Sequence, residues 1–313
     1  MGGASFVANA AVIPAISAEP RSIITSYASL SHPGRLPLDG QGALRVPTYE
    51  DLLDRTLVDA IYIATPNSLH IAPAIAAMRK GISVLCEKPL AVSTREIDEL
   101  AAVEAETGTL VMEAYMTAFS GRDREWRRLA KTGVLGKLRD IEAAFTFTLV
   151  DQSNYRWRPE LGGGALADVG IYLLDPIIDL LGEPSETRLE SLESKSGVVK
   201  TLCATLLFGS QARARITCSF EAPESQVLKI AGTQGTLLVE QPFTPGTSET
   251  TFTLERDGRT QTLAAVGNDP YVAMVESFVD SHLGAQPPPR GLGASRRVAA
   301  LTERILEGQA VVG

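Results

Sequence analysis

The chain has 313 residues, of which 44% are hydrophobic and 21% charged, and its formal net charge is −8 at pH 7. This length allows two domains with cores of their own, while the acidic charge argues against nucleic acid or anionic membrane as the main partner. No apolar run reaches the roughly 18 residues of a membrane span, and the 3 cysteines and 3 histidines lack the spacing of metal ligands, so we expect a cytoplasmic protein with reduced cysteines and no metal site.

The start of the chain is typical of the phosphate-binding turn of a dinucleotide fold. Gly3–Ala8 fits a relaxed G-x-S-x-x-A turn, and a helix is predicted over Asn9–Ser17. Small residues let the backbone approach a pyrophosphate at the start of a helix. The predicted cofactor contacts here are Gly3, Ser5, Phe6 and Val7.

Only Met1 and Gly2 precede Gly3, although the first strand of a dinucleotide fold lies at the centre of its sheet. The fold is therefore expected to lack its first strand. Two explanations stay open. Either the given start is internal to a longer natural chain, or the protein is a shortened form with impaired cofactor binding.

The second strand is predicted over Ser22–Ser31. An NAD site usually places an acidic residue after this strand for the ribose hydroxyls, and none is present. Polar and basic side chains that would suit a 2′-phosphate follow instead, which favours NADP over NAD: Ser29, Ser31, His32 and Arg35. A helix is predicted next, over Tyr49–Leu57, with Thr48 as its N-cap.

Two apolar runs, Ala60–Ala64 and Ile82–Cys86, predict buried parallel strands joined by a helix. Polar residues follow each strand directly: Thr65-Pro66-Asn67-Ser68 after the first and Glu87-Lys88-Pro89 after the second. Ligands of open α/β sheets bind at the carboxyl ends of strands. Lys88 is therefore a candidate functional residue.

The remaining elements indicate two domains. A helix over Thr94–Glu106 and a strand over Leu110–Glu113 continue the α/β alternation, and from Leu138 successive long strands predict a mostly antiparallel sheet. One helix, Gly164–Leu181, interrupts those strands. We predict a Rossmann NAD(P)-binding domain over residues 1–118 and an α+β substrate and oligomerisation domain with a large open sheet over residues 119–313, whose last helices return to the first domain.

Three segments carry a resemblance to a known family: ATPNSLH (Ala64–His70), CEKPLA (Cys86–Ala91) and GGGALADVGIY (Gly162–Tyr172). The chain resembles the glucose-fructose oxidoreductase / inositol dehydrogenase / MocA family of NAD(P)-dependent oxidoreductases, in the branch that carries tyrosine. The resemblance implies a Rossmann domain joined to a domain with an open antiparallel sheet, which commonly forms homodimers or homotetramers.

The resemblance also implies roles for individual residues. Lys88 matches a lysine that touches both the substrate hydroxyl and the cofactor ribose, and Asp168 and Tyr172 match the acidic and proton-transferring positions of the substrate domain. The matching cofactor contacts are Thr65, Pro66, Asn67, His70 and Glu87. Physical chemistry agrees, because a tyrosine needs a nearby cation to lower its pKa from about 10 before it can act as a base.

Four further residues are weaker candidates for a substrate site. Arg156, Trp157 and Arg158 precede the glycine run and are predicted to line a polar sugar site, against the alternative of a surface loop. Tyr115 is predicted near the cofactor, against the alternative of a core position.

Three functions remain open from the sequence. The first is an NADP-dependent sugar or cyclic-polyol oxidoreductase, and the second is a ketoreductase of nucleotide-activated deoxysugar synthesis. The third belongs to another class, a non-catalytic sugar- or nucleotide-binding regulatory protein. An intact set of Lys88, Asp168 and Tyr172 argues against the third.

Overall fold

The structure is a computed structural model that describes residues 5–29, 38, 42–54, 58–244, 246–248 and 250–307. The chain divides into two compact units. Unit 1 comprises Met1–Met116 and Tyr271–Arg296, and unit 2 comprises Thr117–Pro270 and Arg297–Gly313. None of the helices in the described ranges has the length and apolar character that crossing a membrane requires.

Unit 1 alternates short parallel strands with helices. After a π-helical turn, Ala8–Val12, its elements are α1 (Ile13–Ala18), β1 (Ser26–Tyr27), β2 (Leu44–Arg45), β3 (Ala60–Ile63), α2 (Ile71–Arg79), β4 (Ser83–Glu87), α3 (Thr94–Thr107) and β5 (Val111–Ala114). Strands β3, β4 and β5 form one parallel sheet in that order, and β1 pairs with β2 in a separate parallel ladder.

Burial and capping explain the central elements of unit 1. Strand β4 is buried from Ser83 to Cys86, as expected of a parallel strand covered on both faces. Helix α3 begins at a capping box in which Ser93 and Glu96 satisfy each other's backbone, and it ends at Gly108 in the left-handed conformation. These local signals fix the crossovers that bring the strand ends together.

The ladder β1–β2 and the sheet β3–β4–β5 are separate in the described part of the chain. A cavity of about 320 Å³ lies in unit 1, lined among others by Ser22–Tyr27, Asp59–Tyr62 and Leu85. Consecutive residues of β1 and β3 thus border one apolar space.

Unit 2 is built on an eight-stranded sheet. Its elements are α4 (Gly121–Lys131), β6 (Leu138–Thr148), two short 3₁₀ turns (Tyr155–Trp157 and Pro159–Leu161), α5 (Ala165–Leu181), β7 (Glu186–Lys195), β8 (Val198–Leu207), β9 (Arg213–Ser219), β10 (Glu221–Gly232), β11 (Gly235–Glu240), β12 (Thr250–Arg256) and β13 (Arg259–Ala265). Two helices follow, α6 (Pro270–His282) and α7 (Leu292–Glu307), and the division between the units falls within α7, after Arg296.

The strand order of the large sheet is β13-β12-β11-β10-β6-β9-β8-β7, and all pairs are antiparallel except β6 with β9. Helix α5 packs against β6, β8 and β9, and its residues from Ala165 to Ile178 are buried with the single exception of Ala167. An apolar helix of this kind is fully enclosed rather than amphipathic. It therefore presents Asp168 and Tyr172 from a rigid element.

Two predicted elements differ from the fold, and two of the longer observed elements were not predicted. Among the described residues of the strand predicted over Ser22–Ser31, only Ser26–Tyr27 forms a strand. The predicted helix Tyr49–Leu57 is only a 3₁₀ turn, Glu50–Leu52: Thr48 and Asp51 form the expected cap, but Leu53 leaves the helical conformation, and residues 55–57 lie outside the described ranges. Strand β13 and helix α4 were not predicted. Strand β13 is exposed along most of its length, so its sequence lacks the alternation of apolar and polar residues that predicts a strand.

Candidate active site

His70 joins the two loops that follow β3 and β4. Its Nδ1 lies 2.9 Å from the carbonyl oxygen of Pro89, and its Nε2 lies 2.9 Å from that of Thr65. The side chain is completely buried, and burial lowers the pKa of His70 although both carbonyl oxygens act in the opposite direction. Both ring nitrogens thus face backbone carbonyl oxygens, and the neutral imidazole donates its single N–H to one of them. His70 therefore lies between the two loops that the sequence assigned to the cofactor and braces them.

The polar residues predicted at these strand ends lie on the two braced loops. Thr65 and Asn67 are buried after β3, and the Thr65 hydroxyl donates to the carbonyl of Leu69 at 3.1 Å. Pro66 precedes a 3₁₀ turn, Asn67–Leu69. The structure therefore places this predicted set at the carboxyl end of the parallel sheet.

Glu87 is the last residue of β4, and Lys88 follows it directly. The Tyr62 hydroxyl donates to Oε1 of Glu87 at 2.6 Å, and the Lys88 backbone N–H donates to Oε2 at 3.3 Å. Burial and the neighbouring Glu87 carboxylate raise the pKa of Tyr62, so the phenol stays protonated and keeps donating. Lys88 is half-buried, and its peptide bond to Pro89 is cis.

A buried ion pair that sequence reasoning missed lies beneath the same loop. Oε1 of Glu113, at the end of β5, accepts the backbone N–H of Leu90 at 2.9 Å, while Oε2 accepts from Nε of Arg290 at 3.1 Å and from the hydroxyl of Ser295 at 2.6 Å. Glu113 is 3% exposed and Arg290 is 9% exposed. The sequence signal for this pair was Glu113 itself, a charged residue within the buried strand Val111–Ala114.

Tyr115 lies in the core of unit 1. Its side chain is 1% exposed, and the guanidinium of Arg290 lies 5.0 Å from its ring centroid. Tyr115 therefore occupies a core position, which was the alternative to a site near the cofactor. Its ring also makes a cation–π contact with Arg290, the partner of Glu113.

The start of the chain forms the predicted turn into a helix. The Ser5 hydroxyl accepts the backbone N–H of Ala8 at 3.4 Å, and the Ser5 carbonyl accepts the N–H of Asn9 at 3.1 Å. Phe6 is 84% exposed, and Val7 is half-buried. Gly3 lies outside the described residues.

Ser29 is the one described member of the group predicted to meet a 2′-phosphate. It follows β1 and is buried, and its hydroxyl has no hydrogen-bond partner within the described ranges. Ser31, His32 and Arg35 lie outside those ranges.

In unit 2, Asp168 and Tyr172 share one face of α5. Asp168 is 4% exposed and Tyr172 is 8% exposed. Oδ2 of Asp168 accepts a hydrogen bond from Nε of Arg156 at 2.7 Å. The spacing of four residues, predicted to place the acid and the phenol together, is confirmed by the helix.

The three adjacent residues Arg156, Trp157 and Arg158 point to different surroundings. Arg156 pairs with Asp168, whereas Trp157 is buried against Phe220 with ring centroids 5.5 Å apart. The Arg158 side chain is 56% exposed and reaches Glu160 at 3.8 Å. The predicted group thus consists of a half-buried cation, a core aromatic ring and a surface cation.

Aromatic rings surround Tyr172. Its ring centroid lies 5.5 Å from that of Phe145 and 6.0 Å from that of Phe243, and those two phenylalanines stack on each other at 5.6 Å. An open cavity of about 510 Å³ borders this cluster and is lined by Phe145, Phe147, Thr148, Glu224, Gln226 and Thr244. Within the described residues, no group of three or more His, Cys, Asp or Glu side chains is placed to hold a metal ion.

Comparison with known proteins identifies the family. A family model described as "Oxidoreductase family, NAD-binding Rossmann fold" matches residues 8–115, and one described as "GFO/IDH/MocA C-terminal domain" matches residues 124–238. The D-xylose 1-dehydrogenase (NADP(+)) 2 of Haloferax volcanii is 32% identical over 282 residues, which are 86% of this chain and 86% of that protein. The chain belongs to the GFO/IDH/MocA family of oxidoreductases.

Other members of the GFO/IDH/MocA family match at greater length. A dTDP-3,4-didehydro-2,6-dideoxy-alpha-D-glucose 3-reductase of Actinomadura kijaniata is 29% identical over 310 residues, 98% of this chain and 93% of that protein. The crystal structure of a 3-ketoreductase from the same organism, in complex with NADP and TDP-benzene, superposes with a TM-score of 0.90 at 28% identity and covers 97% of this chain and 95% of that chain. The predicted family, fold class and enzyme class are confirmed.

Proposed function

We propose that the protein is an NADP-dependent oxidoreductase that transfers a hydride between nicotinamide and a carbinol or carbonyl carbon of a sugar or cyclic polyol. The observation that carries the proposal is the braced carboxyl end of the parallel sheet, where His70 holds Thr65 and Pro89 and so fixes the backbone around Lys88. Such sheet ends are where open α/β folds bind ligands.

The residues of unit 1 fit a dinucleotide. Ser5 accepts the backbone N–H of Ala8 in the first turn of a helix, and the N-terminal end of a helix suits a pyrophosphate. Ser29 places a buried hydroxyl, unpartnered among the described residues, after β1, where a 2′-phosphate would accept its hydrogen. Thr65, Asn67 and Lys88 would hold the nicotinamide ribose.

When bound, the nicotinamide supplies or accepts the hydride at the substrate carbon. The chain's own residues manage the proton on the neighbouring oxygen. In the proposed mechanism Lys88 donates a hydrogen bond to that oxygen, and Tyr172 takes its proton in oxidation or returns it in reduction. Asp168 orients a substrate hydroxyl beside Tyr172.

A feature of the Actinomadura ketoreductase supports these roles. Its solved structures include one variant with a tyrosine changed to phenylalanine and one with a lysine changed to alanine. The two altered positions are separated by the same number of residues as Lys88 and Tyr172. This correspondence supports proton transfer by the same pair of residue types here.

A keto-deoxysugar attached to a nucleoside diphosphate is the second candidate substrate class. It is favoured by the close superposition on the 3-ketoreductase complex, whose ligand is TDP-benzene. The free sugar or polyol is favoured by Glu224 at the cavity beside Tyr172, because a carboxylate there repels a diphosphate.

Fluorescence titration with NADPH and NADH tests the cofactor, and a substrate panel followed by nicotinamide absorbance tests the reaction. The panel contains aldoses, cyclic polyols, trans-dihydrodiols and a keto-deoxysugar nucleotide. We expect tighter binding of NADPH and turnover with a member of the first two classes. A protein that binds neither nucleotide contradicts the oxidoreductase proposal, and turnover confined to the sugar nucleotide selects the second candidate.

We also propose a homo-oligomer formed through the large sheet of unit 2. One face of the sheet packs against α5, and the opposite face carries exposed ion pairs such as Arg215 with Glu190 at 3.9 Å. Light scattering at low and high salt measures the mass. A monomer at all protein concentrations contradicts this assembly.

A further inference from the structure

We propose that Arg156 is a positioning residue for Asp168 and Tyr172: its guanidinium fixes the carboxylate and supplies, within unit 2, the positive charge that favours a tyrosinate. The inference rests on the proposed function, in which Tyr172 transfers a proton. It assigns Arg156 an internal role in place of contact with substrate.

The ion pair has the geometry of a built contact. Nε of Arg156 lies 2.7 Å from Oδ2 of Asp168, the side chain of Asp168 is 6% exposed and that of Arg156 is 26% exposed. Charge-assisted hydrogen bonds of this length are the strong ones, and screening by water is weak at this depth. Tyr172 lies one helical turn from Asp168, on the same face of α5.

The geometry also brings the charge of Arg156 towards the phenol, because the Asp168 carboxylate that it binds at 2.7 Å lies one helical turn before Tyr172 on α5. Burial by itself lowers the pKa of the Arg156 guanidinium, but the Asp168 carboxylate and nearby tyrosines, Tyr172 among them, outweigh burial and raise it. The interaction is reciprocal, because a cation that is stabilised by a tyrosinate stabilises that tyrosinate equally. Arg156 therefore favours the form of Tyr172 that accepts a proton.

The loop before α5 is shaped to hold Arg156 in place. The Gly164 N–H donates to the carbonyl of Arg156 at 2.9 Å, and the Gly163 N–H donates to that of Arg158 at 3.0 Å. A Cβ at Gly163 would lie 2.5 Å from the Arg156 carbonyl oxygen. The Asn154 side chain accepts the Arg156 N–H at 3.1 Å. The glycine run is thus required for the backbone of Arg156 to lie against the start of α5.

Neighbouring groups define the electrostatic setting. Titratable side chains near this ion pair include Tyr155 on the loop, with the Arg156 guanidinium 5.1 Å from its ring centroid, and Cys218 on β9. Phe145 on β6 and Phe243 add aromatic rings without charge. Arg156 is the cation that binds the Asp168 carboxylate directly.

The test is a ¹³C NMR titration of protein labelled at tyrosine Cζ. The chain has 7 tyrosines, and the Tyr172 signal is assigned by its loss in Tyr172→Phe. We expect Arg156→Gln to raise the titration midpoint of Tyr172 by about one pH unit, since an opposite charge is lost. Arg156→Lys, which keeps the charge, should recover part of this shift. Arg188→Gln, which removes an exposed arginine paired with Glu186 at 2.6 Å, should leave the midpoint unchanged.

Asp168→Asn supplies a second, opposite test should Arg156→Gln fail to fold. With the anion removed and Arg156 retained, the Tyr172 midpoint should fall. An unchanged midpoint in Arg156→Gln, an equal shift in Arg188→Gln, or a wild-type Tyr172 that does not titrate below about pH 11 would overturn the inference.

The titration needs neither cofactor nor substrate, so its result is separate from the proposed function. If the protein binds no nicotinamide cofactor but the Tyr172 midpoint shifts in Arg156→Gln, the proposed role of Arg156 stands and the proposed oxidoreductase function does not. Where turnover is found, the pH of half-maximal oxidation should rise in Arg156→Gln by the same amount, with KM changed less than kcat. A uniform loss of kcat at every pH contradicts the assigned role.

Discussion

The imidazole of His70 spans the carbonyl oxygens of Thr65 and Pro89, 2.9 Å from each, and so links the loops that follow two adjacent parallel strands. The residues on either side of this link are those proposed to hold the nicotinamide end of the cofactor. The link is a buried polar contact, so its removal has a predictable effect on stability.

Changing His70 to Phe should destabilise unit 1 by about 2 kcal/mol at neutral pH, because a buried carbonyl loses its donor while ring volume is kept. Burial lowers the pKa of His70, so its stabilising contribution is present above the ordinary histidine value of about 6.5 and is lost as pH falls below it. The difference between His70→Phe and wild type should therefore shrink toward about pH 5.

Urea unfolding followed by far-UV circular dichroism measures this difference. Fluorescence of Trp126 and Trp157, both in unit 2, serves as an internal control that should change little. His282→Gln, which removes a histidine bonded to Ser83 at 2.9 Å, is the matched variant. Equal stability of His70→Phe and wild type at neutral pH would count against the brace.

Replacing Glu113 by Leu should cost about 3–5 kcal/mol, because it leaves the Arg290 charge in a buried site without its carboxylate and removes the acceptor of the Leu90 N–H. Arg290→Met alone should cost a similar amount. The double variant should cost less than the sum of the two, as expected when a buried pair is replaced by apolar groups. Additive effects in thermal unfolding would show that the pair is not coupled.

Asp123 should make the stability of unit 2 fall as pH rises. Burial raises its pKa to about 6 although Arg127 binds it at 2.6 Å, so the folded state holds a proton that the unfolded state releases near pH 4. The contribution is full below about pH 4 and is lost through pH 6, on the order of 2–3 kcal/mol.

Asp123→Asn removes this titration. Relative to wild type, its unfolding free energy should therefore improve between about pH 4 and pH 6.5. Fluorescence of the neighbouring Trp126 follows the transition in urea. A constant difference between the two proteins across this range would contradict the raised pKa.

Gly163→Ala should disturb the loop that holds Arg156, because the added methyl group meets the Arg156 carbonyl at 2.5 Å. The expected cost is about 1–3 kcal/mol of stability and a shift of the Tyr172 midpoint in the direction of Arg156→Gln. Gly209→Ala, at a turn where an added Cβ meets nothing within 4 Å, is the matched control. Equal behaviour of the two alanine variants would remove the steric argument.

Much of this architecture could be predicted because local patterns carried it. The apolar runs of β3 and β4, the turn residues after them and the four-residue spacing of Asp168 and Tyr172 are short-range signals, and each lies on the predicted element. The helix predicted at Tyr49–Leu57 was wrong. The predicted cap at Thr48 forms, but the helical conformation ends after Leu52.

The rest depended on partners distant in sequence. Glu113 and Arg290 form an ion pair although they are 177 residues apart in sequence. No periodic pattern of residues predicts such a pair. His70 was predicted to contact the cofactor, and only the fold shows that its two ring nitrogens face the carbonyl oxygens of Thr65 and Pro89. Arg156 was predicted to face substrate, because only the folded loop shows that Asp168 lies within hydrogen-bond distance.

The most direct test of the central claim compares the turnover of Lys88→Ala with its affinity for NADPH. If Lys88 donates a hydrogen bond to the substrate oxygen while the proton is transferred, kcat should fall by about 10²–10⁴-fold in Lys88→Ala, and the NADPH Kd, measured by fluorescence, should stay within a few-fold of wild type. Unchanged turnover in Lys88→Ala, with NADPH still bound, would contradict the assignment of the active site.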